Sequence, residues 1–446
     1  MRILIITVYY HPVMTPNVFR WSAIAEEWVG RGHEVHVLCS ERSPLPGAET
    51  IEGVRIHRAG HGSLLDWANN RLKTGNRRAE PSGGEGPRKQ GRLRKFLERA
   101  VDLSWRRIYW PDGACTWYFA GRQAATALHK KYAFDKIISV SLPFTSCLIA
   151  GAVKRRFPEI FWLMDVEDPF AYSKEFWVNN RTLFRRLNDR VERKMLSRAD
   201  AVTVTLQKAK DRYQAYFPEL KLGEKIRVIP PLVNPMLLAD QKNRVIPPGE
   251  AFNLAYFGAF YSNVRSPFSF FELLKAFLTD FPDYRRQLVI HFFGELPPWV
   301  MDGFSTYPEL TELFRFRGLV PRQAVAEEML KAGFLLNFGN TTDYHLPSKA
   351  AEYLCSGKPI INVVAGPSDA FADFARDYPL ILNLEPGAPG QTGALERFMR
   401  RNLNRELDDV QKAVYARLYG IQRIAGLYLE SLTMATVSRR GTGSEG

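Results

Sequence analysis

The chain opens on a nearly continuous apolar run, Arg2 to Val8, with no alternation of polar positions. A strand with one wet face alternates, so this run reads as a parallel strand buried on both faces. The segment YYHPVMTPN (9–17) interrupts it, with Thr15 placed as a helix N-cap and Pro16 at the first helical position. Trp21, Ile24, Ala25, Trp28 and Val29 then share one helical stripe. Gly30 and Gly32 end that helix, and Glu34 to Ser40 returns to strand. The three elements form a βαβ unit, whose crossover should be right-handed.

The alternation resumes past residue 107. Helices are expected over Ala120–Tyr132, Thr145–Phe157 and the highly charged Arg181–Leu196. Strands are expected over Lys136–Val140, Phe161–Val166, Ala201–Thr205 and Ile226–Ile229. The stretch 234–251 (NPMLLADQKNRVIPPGEA) breaks the pattern with prolines and a glycine, which places an interdomain linker there. Beyond it the strand Phe252–Phe257 stops at Gly258, the helix Pro267–Phe281 follows, and the strand Leu288–Phe293 stops at Gly294. Phe334–Phe338, Pro359–Val363 and Leu380–Leu384 continue the set, and the polar residues 431–446 are expected to fray. Two α/β doubly wound domains are expected, 1–235 and 250–430. Ligands of such sheets bind beyond the carboxyl ends of the strands, so the active site is expected in the cleft between two facing domains.

Charge changes this picture in one place. The chain carries a formal net charge of +14, and Arg71–Arg107 holds twelve Lys/Arg against four Asp/Glu. Residues 74–91 within it are rich in Gly and Pro and read as a loop inserted into the first domain. Such a basic insertion is either a solvated loop or a contact for an anionic membrane surface or a phosphorylated acceptor. Nucleic acid is not expected, because no helix-turn-helix, zinc-finger or RNA-binding aromatic motif accompanies the charge. Cys39, Cys115, Cys147 and Cys355 are far apart in sequence with no CxxC spacing, which argues against a zinc site or disulfide framework and suits a reducing cytoplasm. The opening run lacks signal-peptide features, and the apolar window Ile137–Val153 is interrupted by Pro143, so no membrane span is expected.

No GxGxxG follows the first strand, and GxxxxGK[ST], GxSxG and HExxH are all missing. Dinucleotide dehydrogenases, P-loop NTPases and zinc proteases are thereby disfavoured. The informative stretch is LPSKAAEYLCSGKPII (346–361). Pro347 and Ser348 are expected to open a helix whose free N–H groups suit a diphosphate, with Lys349 adding a cation. Glu352 falls one turn further along the same side, where a carboxylate can accept hydrogen bonds from two ribose hydroxyls, and Gly357 closes the helix.

At these residues the sequence resembles the family 4 glycosyltransferases, which have the GT-B fold of two facing Rossmann-like domains. The resemblance spans nearly the whole chain: Arg20–Trp21 and Gly32–Val35, then Pro111–Asp112 with Trp117, Ser141–Thr145 (SLPFT), Asp165–Phe170 (DVEDPF), and the helix bearing Glu352, Gly357 and Pro359. The segment GAFYSNVRSP (258–267) looks like the family's first loop of the second domain, which cradles a donor diphosphate and maps to Gly258 and Arg265. The sequence departs from the family at three points. Tyr344, flanked by Asp343 and His345, occupies the position of a second glutamate, Glu167 that of an arginine, and Thr15–Pro16–Asn17 that of a glycine pair.

The resemblance implies retaining, metal-independent transfer of a sugar from a nucleotide diphosphate-sugar, with no cofactor, to a saccharide or lipid-linked acceptor. No DxD-like pair appears where donor phosphates should lie. Gly258, Arg265, Gly294, Ser348, Lys349 and Glu352 are the expected donor residues; His11, Asn17, Ser141 and Asp168 the acceptor-side ones. Arg265, Lys349 and Asp168 are the catalytic candidates, the first two meeting leaving-group charge and Asp168 offering an acceptor-side carboxylate. A nucleotide-sugar epimerase of the same fold and a silent nucleotide-sugar-binding protein are the alternatives. The expected location is the cytoplasmic face of a membrane, with the basic insertion at the lipid surface and the rings of Trp105, Tyr109 and Trp110 either at headgroup depth or packed into the first domain.

Overall fold

The computed structural model describes residues 1–62, 108–239 and 252–440, apart from Met14, Ser43, Lys174, Phe176 and Trp177. The chain forms two compact units. The first takes residues 1–204, 213–228 and the chain from Leu427 onward; the second takes 205–212 and 229–426. The whole basic stretch 71–107, with Trp105, lies outside the described residues, as does 240–251 of the expected linker.

The first unit is built on eight strands: β1 (Arg2–Ile6), β2 (Glu34–Glu41), β3 (Ala48–Ile51), β4 (Val54–His61), β5 (Lys136–Val140), β6 (Phe161–Asp165), β7 (Ala201–Val204) and β8 (Ile226–Val228). They lie in the order β3-β4-β2-β1-β5-β6-β7-β8, parallel except for the β3–β4 hairpin. Its helices are α1 (Pro16–Gly30), α2 (Trp117–Tyr132), α3 (Thr145–Arg156), α4 (Arg181–Arg198) and α5 (Gln207–Tyr216), the last divided between the units. Thr15 caps α1 as its sequence position suggests, its hydroxyl accepting from the Val18 amide at 3.3 Å. Trp21 and Trp28 of the α1 stripe are fully buried, in edge-to-face contact.

The second unit holds β9 (Phe252–Phe257), β10 (Leu288–Phe293), β11 (Phe314–Gly318), β12 (Phe334–Phe338), β13 (Ile360–Val363) and β14 (Ile381–Leu384), ordered β11-β10-β9-β12-β13-β14 and all parallel. This is the Rossmann order, with its switch point between β9 and β12. The helices are α6 (Pro235–Ala239), α7 (Phe268–Asp280), α8 (Pro298–Phe304), α9 (Arg322–Lys331), α10 (Ala350–Ser356), α11 (Ala370–Phe374), α12 (Gln391–Asn402) and α13 (Asp409–Tyr419). One core layer is packed with aromatic rings, Tyr256, Phe270, Phe271, Phe292 and Phe338 among them. Asn337, Asn362 and Asn383 sit in register on β12, β13 and β14 and pass amide hydrogen bonds across the sheet at 2.7 and 2.8 Å. Asn337 and Asn362 are buried and Asn383 is exposed, so a one-residue slip would strand the two buried amides.

One expectation is corrected. Residues 431–440 do not fray: they continue the last helix, α14 (Ile421–Arg440). Its anchor is apolar and aromatic, with Ile424, Tyr428 and Leu432 fully buried. Of the rings near the basic stretch, Trp110 takes the second of the two expected placements, its indole donating to Asn188 Oδ1 of the first unit at 2.9 Å. Among the described residues no helix is long and apolar enough to cross a membrane, and the four cysteines are free.

Candidate active site

In the second unit the site grows from the switch point. β9 and β10 end on Gly258 and Gly294, and the Gly258 amide donates to the Phe293 carbonyl at 3.0 Å. Gly294 has φ 134°, and a Cβ there would sit 2.2 Å from the Gly258 carbonyl oxygen. Only glycine allows the two strand ends to close on each other this way. The loop after Gly258 carries Arg265, which is buried and clamped. Its Nε and Nη2 donate to Asn340 Oδ1 at 3.1 and 2.7 Å, and Nη1 donates to the Ala259 carbonyl at 3.2 Å. Asn340, in the loop after β12, donates in turn to the His345 carbonyl at 2.7 Å. Thr341 closes the same junction, its amide donating to the Val264 carbonyl and its hydroxyl to that of Asn263. The two loops flanking the switch point are therefore one hydrogen-bonded body.

The chain runs from that body into Leu346–Lys349 and then α10. The helix begins at Ala350 with Lys349 as its cap residue, so Ser348 does not open it. The reason is local: the Ala350 amide donates to the Pro347 carbonyl, closing a turn that leaves Ser348 exposed and outside the helix. Tyr353 fixes α10 to the sheet. Its hydroxyl donates to the Leu336 carbonyl of β12 and accepts from the Phe257 amide of β9, both at 3.0 Å. Glu352 is thereby held beside the switch point, 5% exposed. Its Oε1 lies 3.4 Å from Lys349 Nζ, and its Oε2 is buried with no hydrogen-bond partner among the described residues. A buried carboxylate oxygen with no donor is costly unless a ligand supplies one. Asp343 accepts two hydrogen bonds from Arg212, at 3.0 and 3.2 Å, while Tyr344 is buried under that guanidinium.

In the first unit the switch point lies between β1 and β5, and the loops after these strands carry His11 and Ser141. Arg58 of β4 holds the first loop, donating to the His11 and Pro46 carbonyls at 3.0 Å and pairing with Glu49. The His11 ring is held below the usual histidine range by partial burial, then Arg58, against the pull of Glu49. Asn17 stands in the first turn of α1 with a buried Oδ1 that has no partner among the described residues. Ser141 is buried, its amide bonded to the Asp165 carbonyl at 2.9 Å.

The separated motifs of this unit meet in space. Asp112 accepts from the Thr145 amide and hydroxyl, both at 2.8 Å, tying Pro111–Asp112 to the start of α3. Phe144 stacks on Phe170 at 4.0 Å, joining SLPFT to DVEDPF. Asp165 accepts from the Trp21 indole at 3.1 Å, from Thr203 at 2.6 Å and from the Tyr428 hydroxyl at 2.7 Å. Arg20 donates to that same hydroxyl and to Glu167. Burial lifts the Glu167 carboxyl to about 7; Arg20 opposes the shift, and Asp165 and Asp168 add to it. Asp168 is half-buried beside Glu167. Glu192 of α4 accepts from the Phe170 and Ala171 amides and from Tyr213, fixing the loop after β6. Asn340, Arg58, Glu192 and Tyr428 were outside the sequence-based candidates, since single polar residues in loops and helices carry no spacing signal.

These two sheets define the fold class: it is the GT-B fold of glycosyltransferases. The solved sucrose-phosphate synthase of Thermosynechococcus elongatus is similar over all of both chains, with 17% identity and a TM-score of 0.59. Anabaena HepE, solved in complex with UDP and glucose, is 13% identical over 97% of this chain and 99% of its own, with a TM-score of 0.52. A trehalose-phosphate synthase from Burkholderia xenovorans, in complex with glucose-6-phosphate, is 12% identical over 97% and 100%, with a TM-score of 0.61. Residues 19–231 match the family model of the glycosyl transferase 4-like domain. Residues 19–231 therefore carry a glycosyl transferase 4-like domain, in a chain whose two sheets have the GT-B fold. No curated protein matches it in sequence.

Proposed function

We propose that the protein transfers a sugar from a nucleotide diphosphate-sugar to a saccharide or lipid-linked acceptor, with retention of configuration and without a metal. The observation that carries this reading is Glu352: a buried carboxylate with an unanswered Oε2, fixed at the switch point by its neighbour Tyr353. A ribose diol offers the two hydroxyl donors that such a group needs. Arg265 and Lys349 are assigned to the donor diphosphate, Gly258 and Gly294 to its close approach, and the exposed Ser348 to the rim. His11, Asn17, Ser141 and Asp168 are assigned to the acceptor. Complexes of two proteins of this fold, one with UDP and glucose and one with glucose-6-phosphate, support a nucleotide-sugar donor and a saccharide acceptor.

In the proposed reaction the bond from the anomeric carbon to the diphosphate oxygen breaks, and the acceptor oxygen bonds to that carbon on the same face. The acceptor proton passes to the departing phosphate oxygen. Arg265 and Lys349 stabilise the charge that develops there. Among the described residues no three His, Cys, Asp or Glu side chains are grouped to hold a metal ion. The test is a thermal-shift panel of UDP- and GDP-sugars followed by product analysis with the stabilising donor, in EDTA. Stabilisation by one donor with a transferred sugar of retained configuration is expected. An isomerised free nucleotide sugar, or transfer that EDTA abolishes and magnesium restores, overturns the reading.

A further inference from the structure

Helix α4 carries apolar side chains where its charge predicts none. Leu183 is 64% exposed and Leu187 37% exposed, one turn apart on one face. The 3.6-residue repeat brings Arg186, Arg190 and Lys194 to that face, and all three are exposed. The opposite face, with Asn188, Glu192, Met195 and Leu196, is buried. The acids of the helix do little to offset the outer cations. Glu192 is turned inward to the Phe170 and Ala171 amides, and Asp189 accepts from the Tyr216 hydroxyl at 2.6 Å.

We propose that this face of α4 docks on an anionic lipid surface, its leucines entering the boundary between headgroups and acyl chains and its cations meeting lipid phosphates. The combination selects the partner. A nucleic acid would satisfy the arginines and leave both leucines in water, whereas an uncharged apolar partner would strip water from the cations without replacing it. An interfacial helix needs both components together, apolar area and attraction to anionic headgroups. The function of the contact rests on the lipid-linked acceptor of the preceding proposal; the contact itself rests on α4 alone.

The test is flotation of the full chain with phosphatidylcholine vesicles, with and without phosphatidylglycerol. Binding is expected only with phosphatidylglycerol, and to fall on the order of tenfold in Leu183→Gln/Leu187→Gln and at least as far in Arg186→Gln/Arg190→Gln/Lys194→Gln. These substitutions are all at exposed positions, and an unchanged melting temperature verifies that the fold is intact. Anionic-vesicle binding that neither variant set alters overturns the proposal. So does binding that an oligonucleotide abolishes and that is indifferent to the two leucines, which marks a general polyanion surface. Transfer to a soluble saccharide is measured in parallel. Vesicle binding together with transfer to soluble acceptors only would sustain the α4 contact and remove the lipid-linked acceptor.

Discussion

At the scale of single residues, the proposed reaction gives Glu352 and Arg265 different tasks, one binding the donor and the other meeting the leaving charge. Glu352 is buried, with Oε2 unanswered, and its contact to Lys349 is long at 3.4 Å. Glu352→Ala is expected to weaken nucleotide-sugar binding by about 1.5–3 kcal/mol, the range for hydrogen bonds to a charged group. Calorimetry with the stabilising donor checks this; an unchanged affinity removes the ribose assignment. Arg265 differs in kind, because most of its guanidinium is already committed to Asn340 and the Ala259 carbonyl. It is a fixed positive charge that needs no reorganisation when the diphosphate departs. Arg265→Ala should therefore lower kcat at saturating donor more than it raises the donor Kd. The mutant also frees Asn340, so Arg265→Lys serves as the control that keeps the charge. A kcat equal to wild type in Arg265→Ala would refute the assignment.

At the scale of elements, α14 shows how far a distant segment supports the loop after β6. Tyr428 accepts from Arg20 at 2.5 Å and donates to Asp165 at 2.7 Å, and Asp165 also receives the Trp21 indole. Removing that hydroxyl leaves a buried guanidinium and a buried carboxylate each short of a partner. Tyr428→Phe is expected to destabilise the protein by about 1–3 kcal/mol in denaturant titration, with more of the loss in the folded midpoint than in the m-value. The elements themselves were largely legible in the sequence, for physical reasons. Doubly buried parallel strands such as Ile3–Ile6 and Ile360–Val363 announce themselves as apolar runs, and Pro16 and Gly357 mark helix ends by backbone preference. The β3–β4 hairpin and the edge strand β11 were missed because polar positions dominate them. Glu352 was legible from its motif, while Asn340 was not: its role is to hold Arg265, seventy-five positions away, and no local pattern encodes such a pair. Ser348 was read as opening the helix because a start two residues later, at Ala350, looks the same in sequence.

At the scale of the whole molecule, two carboxyls in the first unit make stability depend on pH in a direction that surface acids do not. Burial lifts Glu192 to about 7 from an ordinary 4.5, with its hydrogen bonds to Tyr213 and the Ala171 and Phe170 amides opposing the shift. Glu167 is lifted to about 7 as well, again by burial first. Between pH 4.5 and 7 the folded protein binds more protons at these sites than the unfolded chain does. The slope of unfolding free energy against pH follows the protons bound unfolded minus those bound folded, so here it is negative. These two groups cost nothing below pH 4.5, and their penalty grows until it is complete above pH 7. Glu192 is fully buried, so its full share is on the order of 3 kcal/mol. Denaturant titrations at pH 5.5 and 8 should show the protein weaker at the higher value. Glu192→Gln, an amide in place of the protonated acid, should flatten that difference, gaining less at pH 5.5, where only part of the penalty is present, than at pH 8. Equal slopes in mutant and wild type would show that Glu192 titrates as an ordinary carboxylate, and that its contacts to the Phe170 and Ala171 amides outweigh its burial.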